Sequence, residues 1–468
     1  MASYKNNIKI HEHVKVVPPS SSNQSTTTTP LTFFDIICLR FHPVERIFFY
    51  TLPNSQSHPS FFFQKIVVNL KSSLSLTLQH FLPIAGKIVW PSDSSKPFIQ
   101  FNPNDNDNGV SLLIVESDAD FNHVIGNSPH EASLSRSFIP NLESSDSFAS
   151  IISYEARTPL RVGVSRYYLT PNHHGVFDGK SSSMFIKAWA YLCNKESPTL
   201  LRELEPLLNR DFIKDTNENN SIEMLSKIFP SEKGNERSLK ISPFEPKFEE
   251  SVRATFKLTR EDLDKIKQRV LSKWELFDTN ESKPHTLSSF ILTCAYLIVT
   301  IAKAINGVKK EKEKFSFMFA VDCRARLEAP IPSNYFGNCV SGHFIDTDPL
   351  DFNKEDGVFV VAKCIYEKIK MIKEKGVFEG KILDVFVKYY SLNSEGYEII
   401  GVTGSNRFGV YEIDFGLGRP EKVEIVSTDR SLTIGLAESK DGNGGVEVGL
   451  VPNKHVMDLF STLFLEGL

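Results

Sequence analysis

One run of the chain constrains the fold more than any other. Residues Thr286 to Ile305, with the sequence TLSSFILTCAYLIVTIAKAI, are apolar on almost every side of a helix. A helix without a polar face has to be enclosed by other elements, so a large core must form around it. No stretch approaches the ~18 uninterrupted apolar residues that a membrane helix needs. The pattern therefore predicts a buried core helix and no membrane association.

The chain is too long for one hydrophobic core. Single cores stop growing beyond about 250–300 residues, so a length of 468 residues indicates two domains. Between Asn194 and Glu250 the sequence becomes rich in charge and poor in apolar pairs, as in a connection between lobes. We expect an N-terminal lobe over residues 1–200, a crossover linker over 201–250 and a C-terminal lobe over 251–468.

Hydrophobic periodicity predicts both helices and strands, without a strict βαβ rhythm, so the fold class is mixed α/β. Helical spacing covers residues 66–81 (stopped by Pro83), 258–271, 286–305, 358–373 and 455–465. Strand patterns cover residues 8–17, 47–50, 315–321 and three late runs, VEIVSTD, LTIGLAES and VEVGLVP. We expect these elements to form two lobes of similar size.

The acidic and amide run NPNDNDNG, from Asn102 to Gly109, has the composition of a calcium loop. Such a loop needs a bidentate glutamate at its end, and Val115 stands at that position. The run is therefore interpreted as the surface loop of a β-hairpin.

Charge and cysteine content restrict the class of protein. A net charge of −4 gives no reason to expect a nucleic-acid partner. The six cysteines include no Cys-x-x-Cys pair, which favours reduced thiols in a cytosolic protein over a disulfide framework. The N-terminal segment MASYKNNIKIHEHVKVV has no apolar stretch typical of a secretory signal. We expect a soluble, cytoplasmic protein.

The segment HHGVFDG, from His173 to Gly179, carries the candidate chemistry. His174 and Asp178 stand four residues apart, and the glycines permit a tight loop that directs one imidazole into a cleft. A histidine so placed is a possible general base, because its ordinary pKa of about 6.5 lies near working pH. By itself this pattern is more typical of a buried structural histidine. A zinc site has no further ligand at suitable spacing, so no metal is expected.

Distant segments give this motif a context. Six further segments stand at characteristic positions relative to HHGVFDG. They are PLTFFD, LPIAGK, TLSSF, VDCRARLEAPIP, SNYFGNC (Ser333–Cys339) and DFGLG (Asp414–Gly418). Together they resemble the plant BAHD acyl-CoA-dependent acyltransferases, from Val14 to Leu468. The branch that the chain resembles most is that of malonyltransferases acting on phenolic, flavonoid or isoflavonoid glucosides.

This resemblance implies a fold and a mechanism. The implied fold has two lobes of chloramphenicol-acetyltransferase type with a channel between them, where malonyl-CoA as co-substrate meets a phenolic glycoside acceptor. His174 would remove the proton of a sugar hydroxyl, and Asp178 would pair with an arginine, for which Arg324 is the candidate. Transfer would be direct, without an acyl-enzyme or any cofactor, and the protein is expected to be a monomer.

Further roles follow from the same resemblance. Asp414, Phe415, Gly416 and Gly418 are expected to be structural. Ser288 and Ser289 match a segment that lines the CoA channel in relatives. Lys265 and Lys267 are candidates for CoA phosphates, although a solvated helix face suits them equally. The arginine that would bind the malonyl carboxylate is left open among Arg161, Arg166, Arg324 and Arg326.

Two features depart from the family pattern. Leu417 replaces the usual tryptophan of the late motif, with packing as the expected cost. Before His174, a supporting strand is either missing or replaced by RVGVSRYY, and Pro171 lies three residues upstream. Two alternatives therefore accompany malonyl transfer: another acyl donor, acetyl or hydroxycinnamoyl, and a weakened family member that binds CoA and glucosides with little turnover.

Overall fold

The computed structural model describes most of the chain. The described residues are 7–20, 25–42, 44–53, 58–139, 149–155, 161–167, 174–214, 222, 250–277, 284–309, 314–345, 356–377 and 382–468. The strands are β1 (Ile8–Val16), β2 (Thr27–Pro30), β3 (Arg46–Thr51), β4 (Lys87–Val89), β5 (Phe98–Phe101), β6 (Val110–Ser117), β7 (His130–Glu131), β8 (Ala149–Glu155), β9 (Arg161–Tyr167), β10 (Val252–Leu258), β11 (Lys314–Asp322), β12 (Val340–Ile345), β13 (Tyr397–Ser405), β14 (Lys422–Ile425), β15 (Thr433–Glu438) and β16 (Val446–Leu450). The helices are α1 (Phe33–Ile37), α2 (Pro59–Phe61, continued by a π-helical turn Phe62–Ile66), α3 (Val67–His80), α4 (Leu82–Ala85), α5 (Phe121–Ile125), α6 (Ala132–Ser137), α7 (Gly179–Lys195), α8 (Arg260–Phe277), α9 (Ser289–Lys309), α10 (Gly357–Lys375), α11 (Ile382–Ser394) and α12 (Lys454–Glu466).

The strands form two large mixed sheets and one small sheet. The first has the order β1-β6-β8-β9-β3-β14 and the second the order β12-β11-β13-β15-β16-β10-β7. Strands β2, β5 and β4 form the small sheet. Each large sheet takes an edge strand from the other half of the chain, since β14 joins the first and β7 the second. The expected division at residues 200 and 250 stays a prediction, because most of 215–249 lies outside the described residues.

The apolar run forms the centre of the C-terminal core. Helix α9 is buried almost throughout, with Cys294, Ala295 and Leu297 inaccessible to solvent. Within the described ranges α9 alone is long and apolar enough to cross a membrane, and 78% of its most apolar window is buried inside the protein. Its apolar surface is therefore used against the helices and strands around it.

The N-terminal core forms around α7. Trp189 of this helix is buried, and its indole nitrogen donates to the Leu70 carbonyl and the Ser73 hydroxyl of α3, both at 3.1 Å. The Phe415 ring meets the Trp189 ring edge-on at 5.0 Å. The late motif DFGLG therefore packs into the N-terminal core, and α7 fixes its position.

Two expectations about local structure are corrected. The loop over 102–108 does not close a hairpin, because β5 and β6 on either side of it belong to different sheets. Pro83 does not merely stop a helix: α3 ends at His80, and the proline occupies the first turn of α4, where a missing backbone N–H costs nothing.

The strand before the histidine motif is present. Residues 161–167, RVGVSRY, form β9, which pairs antiparallel with β8 on one side and β3 on the other. Of the two alternatives, a missing strand or one replaced by RVGVSRYY, the structure supports the second, because the replacing sequence forms a paired strand. Pro171 and His173 lie outside the described residues, in the segment 168–173.

Candidate active site

The candidate base lies in a short loop that leads into α7. His174 begins a turn, and Asp178 is the N-cap of α7, with its carboxylate accepting the backbone N–H of Ser181 at 2.9 Å. The cap fixes Asp178 at the end of the loop, four residues after His174.

Asp178 forms a buried ion pair with the arginine that the sequence suggested. Its Oδ2 atom lies 2.9 Å from Nη1 of Arg324, and Oδ1 accepts from Nη2 at 3.1 Å. Both side chains are 2% exposed, so the pair is sealed from water. Burial disfavours the charge on Arg324, but Asp178 and Asp322 outweigh it and raise the pKa of the guanidinium. The ion pair with Arg324 thus fixes Asp178, and with it the end of the loop that carries His174.

The segment SNYFGNC closes around this pair. Arg324 donates to the carbonyls of Tyr335 and Gly337, and the backbone N–H of Cys339 donates to Asp178 Oδ2 at 3.1 Å. The hydroxyl of Ser181 accepts from the Gly337 N–H at 3.1 Å. The start of α7 and this segment are therefore one hydrogen-bonded unit.

A second buried ion pair lies beside the first. Arg210 Nη1 is 3.1 Å from Asp35 Oδ2, and it also donates to the hydroxyl of Tyr335 at 3.0 Å. A Cβ atom on Gly337 would come within 1.7 Å of Arg210 Nη1, so only glycine fits there. We call Asp35, Asp178, Arg210 and Arg324 the ionic core. Its two carboxylates and two guanidinium groups balance in charge.

Asn338 connects the ionic core to the histidine. Its side-chain nitrogen donates to the carbonyl oxygen of His174 at 2.6 Å and to Asp35 Oδ1 at 3.0 Å. The Asn338 N–H also donates to Asp35 Oδ1, at 3.1 Å. The backbone of the candidate base is thus anchored on both sides: by Asp178 at the end of the loop and by Asn338 at the histidine itself.

His174 is half-buried as a residue, and its Nδ1 atom is shielded from solvent. Burial lowers the pKa of His174 below its ordinary value, against the opposing effects of its own backbone and of Asp178. The ring is consequently neutral at pH 7 and has a lone pair available, which a general base requires.

Three thiols that interact electrostatically with Asp178 are unsuited to act as nucleophiles. Burial raises the pKa of Cys38 and Cys323, and it raises the pKa of Cys339 to about 12. Asp178 adds to the effect in all three. These cysteines are therefore protonated at neutral pH, and thiolate chemistry is suppressed around the site. Over the described ranges, no three His, Cys, Asp or Glu side chains gather as a metal site would require.

The proposed CoA-binding residues fall into two groups. Ser289 begins α9, and its hydroxyl accepts from Asn406 Nδ2 at 2.9 Å, while Ser288 Oγ accepts the backbone N–H of Ile291. Two residues beyond Asn406, the Phe408 ring lies against Gly179 at the start of α7. Ser289 is thus linked through residues 406–408 to the end of α7 that carries the site.

Lys265 and Lys267 lie on α8. Among the described residues, neither lysine contacts the hydrogen-bonded unit at the start of α7. Lys265 is half exposed and lies 3.5 Å from Glu261, one turn earlier on the same helix. That pairing is typical of a solvated helix face. Of the arginines left open for the malonyl group, Arg324 belongs to the ionic core and Arg326 donates to the Asp322 carbonyl. The side chains of Arg161 and Arg166 lie outside the described set.

The late motif lies far from the candidate base. One oxygen of Asp414 accepts the N–H groups of Gly416, Leu417 and Gly418 at 2.7–3.0 Å, and the two glycines have φ of +83° and +86°. Asn194 holds the Asp414 carbonyl near the end of α7 opposite Asp178. At 1.5 Å per residue the two aspartates are separated by about 24 Å along the helix. Leu417 is 8% exposed, so it fills the core in place of the usual tryptophan.

Three members of the site had no role assigned from sequence. Asp35 ends the PLTFFD segment and Asn338 lies in SNYFGNC, so both stand in the quoted motifs without a chemical signal of their own. Arg210 lies in an unremarkable stretch, and a local pattern gives no sign of it. Only the fold brings these three residues together behind His174.

A solved structure matches the fold along the whole chain. Vinorine synthase, known from a crystal structure, has the same fold, with a TM-score of 0.68 at 20% identity and 98% of both chains covered. The architecture is accordingly α/β and of the two-lobed chloramphenicol-acetyltransferase type.

Sequence comparison gives the family. Residues 7–465 match the model of the Transferase family, and the chain belongs to this family, the BAHD acyltransferases. It is 37% identical to phenolic glucoside malonyltransferase 1 of Arabidopsis thaliana, over 99% of this chain and 98% of the relative. It is 35% identical to malonyl-CoA:anthocyanidin 5-O-glucoside-6''-O-malonyltransferase of the same plant, over the whole of both.

We expect Asn338→Ala to lower kcat for acyl transfer about 10- to 100-fold, because the His174 carbonyl and Asp35 lose a shared buried donor worth ~1–3 kcal/mol. The matched control is Asn334→Ala, which removes the same group from the same segment but from a contact with the Glu205 carbonyl. Steady-state rates of the two variants, compared after their folding is checked by circular dichroism, test the assignment. Equal losses of kcat in both would contradict it.

We also expect the imidazole of His174 to titrate below 6.5, because burial disfavours its charged form. The unfolded chain then binds the proton more tightly, so the free energy of unfolding decreases as pH falls from about 6.5 toward the folded-state pKa. NMR titration of the ring measures the midpoint, and His174→Gln assigns the signal and separates it from His130, whose pKa burial also lowers. A midpoint at or above 6.5 would refute the expectation.

Proposed function

We propose that this enzyme transfers the malonyl group of malonyl-CoA to a sugar hydroxyl of a phenolic or flavonoid glucoside. The observation that carries the proposal is the anchoring of half-buried His174: its backbone carbonyl accepts a hydrogen bond from Asn338, and its loop ends at the buried Asp178–Arg324 pair. Burial also lowers the pKa of His174, which favours the neutral imidazole. The choice of donor and acceptor is supported by the names of the two malonyltransferases, to which the chain is similar over its full length.

The proposed transfer is direct, and the groups around His174 support it. Since Nδ1 of His174 is shielded from solvent, Nε2 is the nitrogen that takes the proton of the acceptor hydroxyl. The hydroxyl oxygen then bonds to the malonyl carbonyl carbon and forms a tetrahedral intermediate. Its collapse breaks the carbon–sulfur bond, and the imidazolium returns the proton to the departing thiolate. The products are a malonate ester and free CoA, and the imidazole is neutral again.

The surroundings of the site favour this path over an acyl-enzyme. An acyl-enzyme would need a nucleophilic side chain, and the thiols of Cys38, Cys323 and Cys339 are kept protonated by burial. Asp178 is engaged with Arg324 and serves as a positioning residue, and no carboxylate of the described residues forms a hydrogen bond with the imidazole. We place Ser288 and Ser289 on the CoA side, and we propose the cytosol as the compartment, which suits the six free thiols.

Turnover of malonyl-CoA with a set of aryl glucosides tests the proposal. We expect malonylated glucoside from the wild type, and His174→Ala to lower kcat by about 10²–10⁴, the usual contribution of general base catalysis. His455→Ala, at an exposed position on α12, is the matched control and should keep full activity. Competition with acetyl-CoA and coumaroyl-CoA separates the malonyl donor from the alternatives. Tight binding of malonyl-CoA without product, or preference for another donor, would overturn the proposal.

A further inference from the structure

Three rings form a row at the candidate active site. The centroid of the Phe41 ring lies 5.8 Å from that of His174, at an interplanar angle of 90°. The centroid of the Phe386 ring lies 5.7 Å from that of Phe41, at an interplanar angle of 39°. All three side chains are partly exposed, whereas most phenylalanines of the two cores are inaccessible to solvent.

The row joins the two halves of the chain. Phe41 follows α1, whose Asp35 belongs to the ionic core, and Phe386 lies on α11. Helix α11 rests on β12: Val385 approaches Gly342 so closely that a Cβ there would lie 3.1 Å from the valine methyl, and Lys388 stands over the Phe344 ring at 5.7 Å. Both phenylalanines are therefore carried by elements that packing fixes next to His174.

The geometry suits one part of the substrate. The reacting hydroxyl has to reach the imidazole, so the rest of the glucoside lies beside it. The rings nearest to that position are Phe41, which contacts His174, and Phe386, which contacts Phe41. Two tilted phenyl rings that keep part of their surface in solvent offer faces and edges to a flat aromatic group. A charged or purely aliphatic group would gain less from them.

Resting on the function proposed above, we propose that Phe41 and Phe386 form the subsite for the aromatic aglycone of the glucoside. The two residues determine specificity and take no part in proton transfer. They orient the sugar by holding its aromatic substituent, which brings the hydroxyl to His174. The CoA thioester binds elsewhere and does not depend on either ring.

A matched pair of acceptors tests this assignment: 4-nitrophenyl β-D-glucoside and methyl β-D-glucoside, which differ only in the aglycone. We expect Phe41→Ala and Phe386→Ala each to lower the ratio of kcat/KM for the aryl glucoside to that for the methyl glucoside about tenfold, the usual scale of one aromatic contact. The change should fall on the KM of the aryl acceptor, with the KM for malonyl-CoA within twofold of wild type. Phe41→Leu and Phe386→Leu keep volume and folding, and they should lose most of the same preference.

An unchanged ratio in folded Leu variants, or a shift confined to the KM of malonyl-CoA, would overturn the assignment. Failure of the proposed function gives a different result, namely no malonyl transfer from wild type to either glucoside. In that case calorimetric binding of 4-nitrophenyl β-D-glucoside to wild type and to the Leu variants still decides the subsite. Weaker binding in the variants supports it, and equal binding refutes it.

Discussion

The ion pair between Asp178 and Arg324 is the interaction on which the rest of the site depends. Both groups are withdrawn from water, and their oxygens and nitrogens are hydrogen-bonded to the start of α7 and to the segment of Tyr335 to Cys339. Breaking one half of a buried pair leaves an uncompensated charge, which typically costs about 3–5 kcal/mol. Separating Asp178 from Arg324 is therefore costly, and the pair fixes the end of the loop that carries His174.

Helix α7 has the candidate active site at its first turn and the DFGLG loop at its far end. Its first turn is capped by Asp178 and closed over by SNYFGNC, and its far end holds the DFGLG loop through Asn194. The Asp414 carboxylate folds that loop onto itself by accepting three backbone N–H groups. Two signature motifs of one family thus do different work at opposite ends of one buried helix. A substitution at Asp414 acts on stability, whereas one at Asp178 also moves the site.

Local patterns in the sequence were enough to predict those parts of the structure that depend on local chemistry. The all-round apolar run around Leu297 could only be a core helix, and it is one. The histidine motif and Arg324 were found because the family spacing is distinctive. Pairings between distant segments could not be inferred in this way. The loop at Asn102 connects two sheets rather than two partners, and Arg210 reaches Asp35 from 175 residues away in sequence.

A double-mutant cycle on Asp178 and Arg324 tests the central claim most directly. The free energy of unfolding is measured by urea denaturation for the wild type, Asp178→Ala, Arg324→Ala and the double variant. We expect each single change to destabilise the fold by about 3–5 kcal/mol, and the double variant to lose clearly less than the sum, because it leaves no unpaired buried charge. Losses that add within about 0.5 kcal/mol would show that the two groups act independently and would contradict this account.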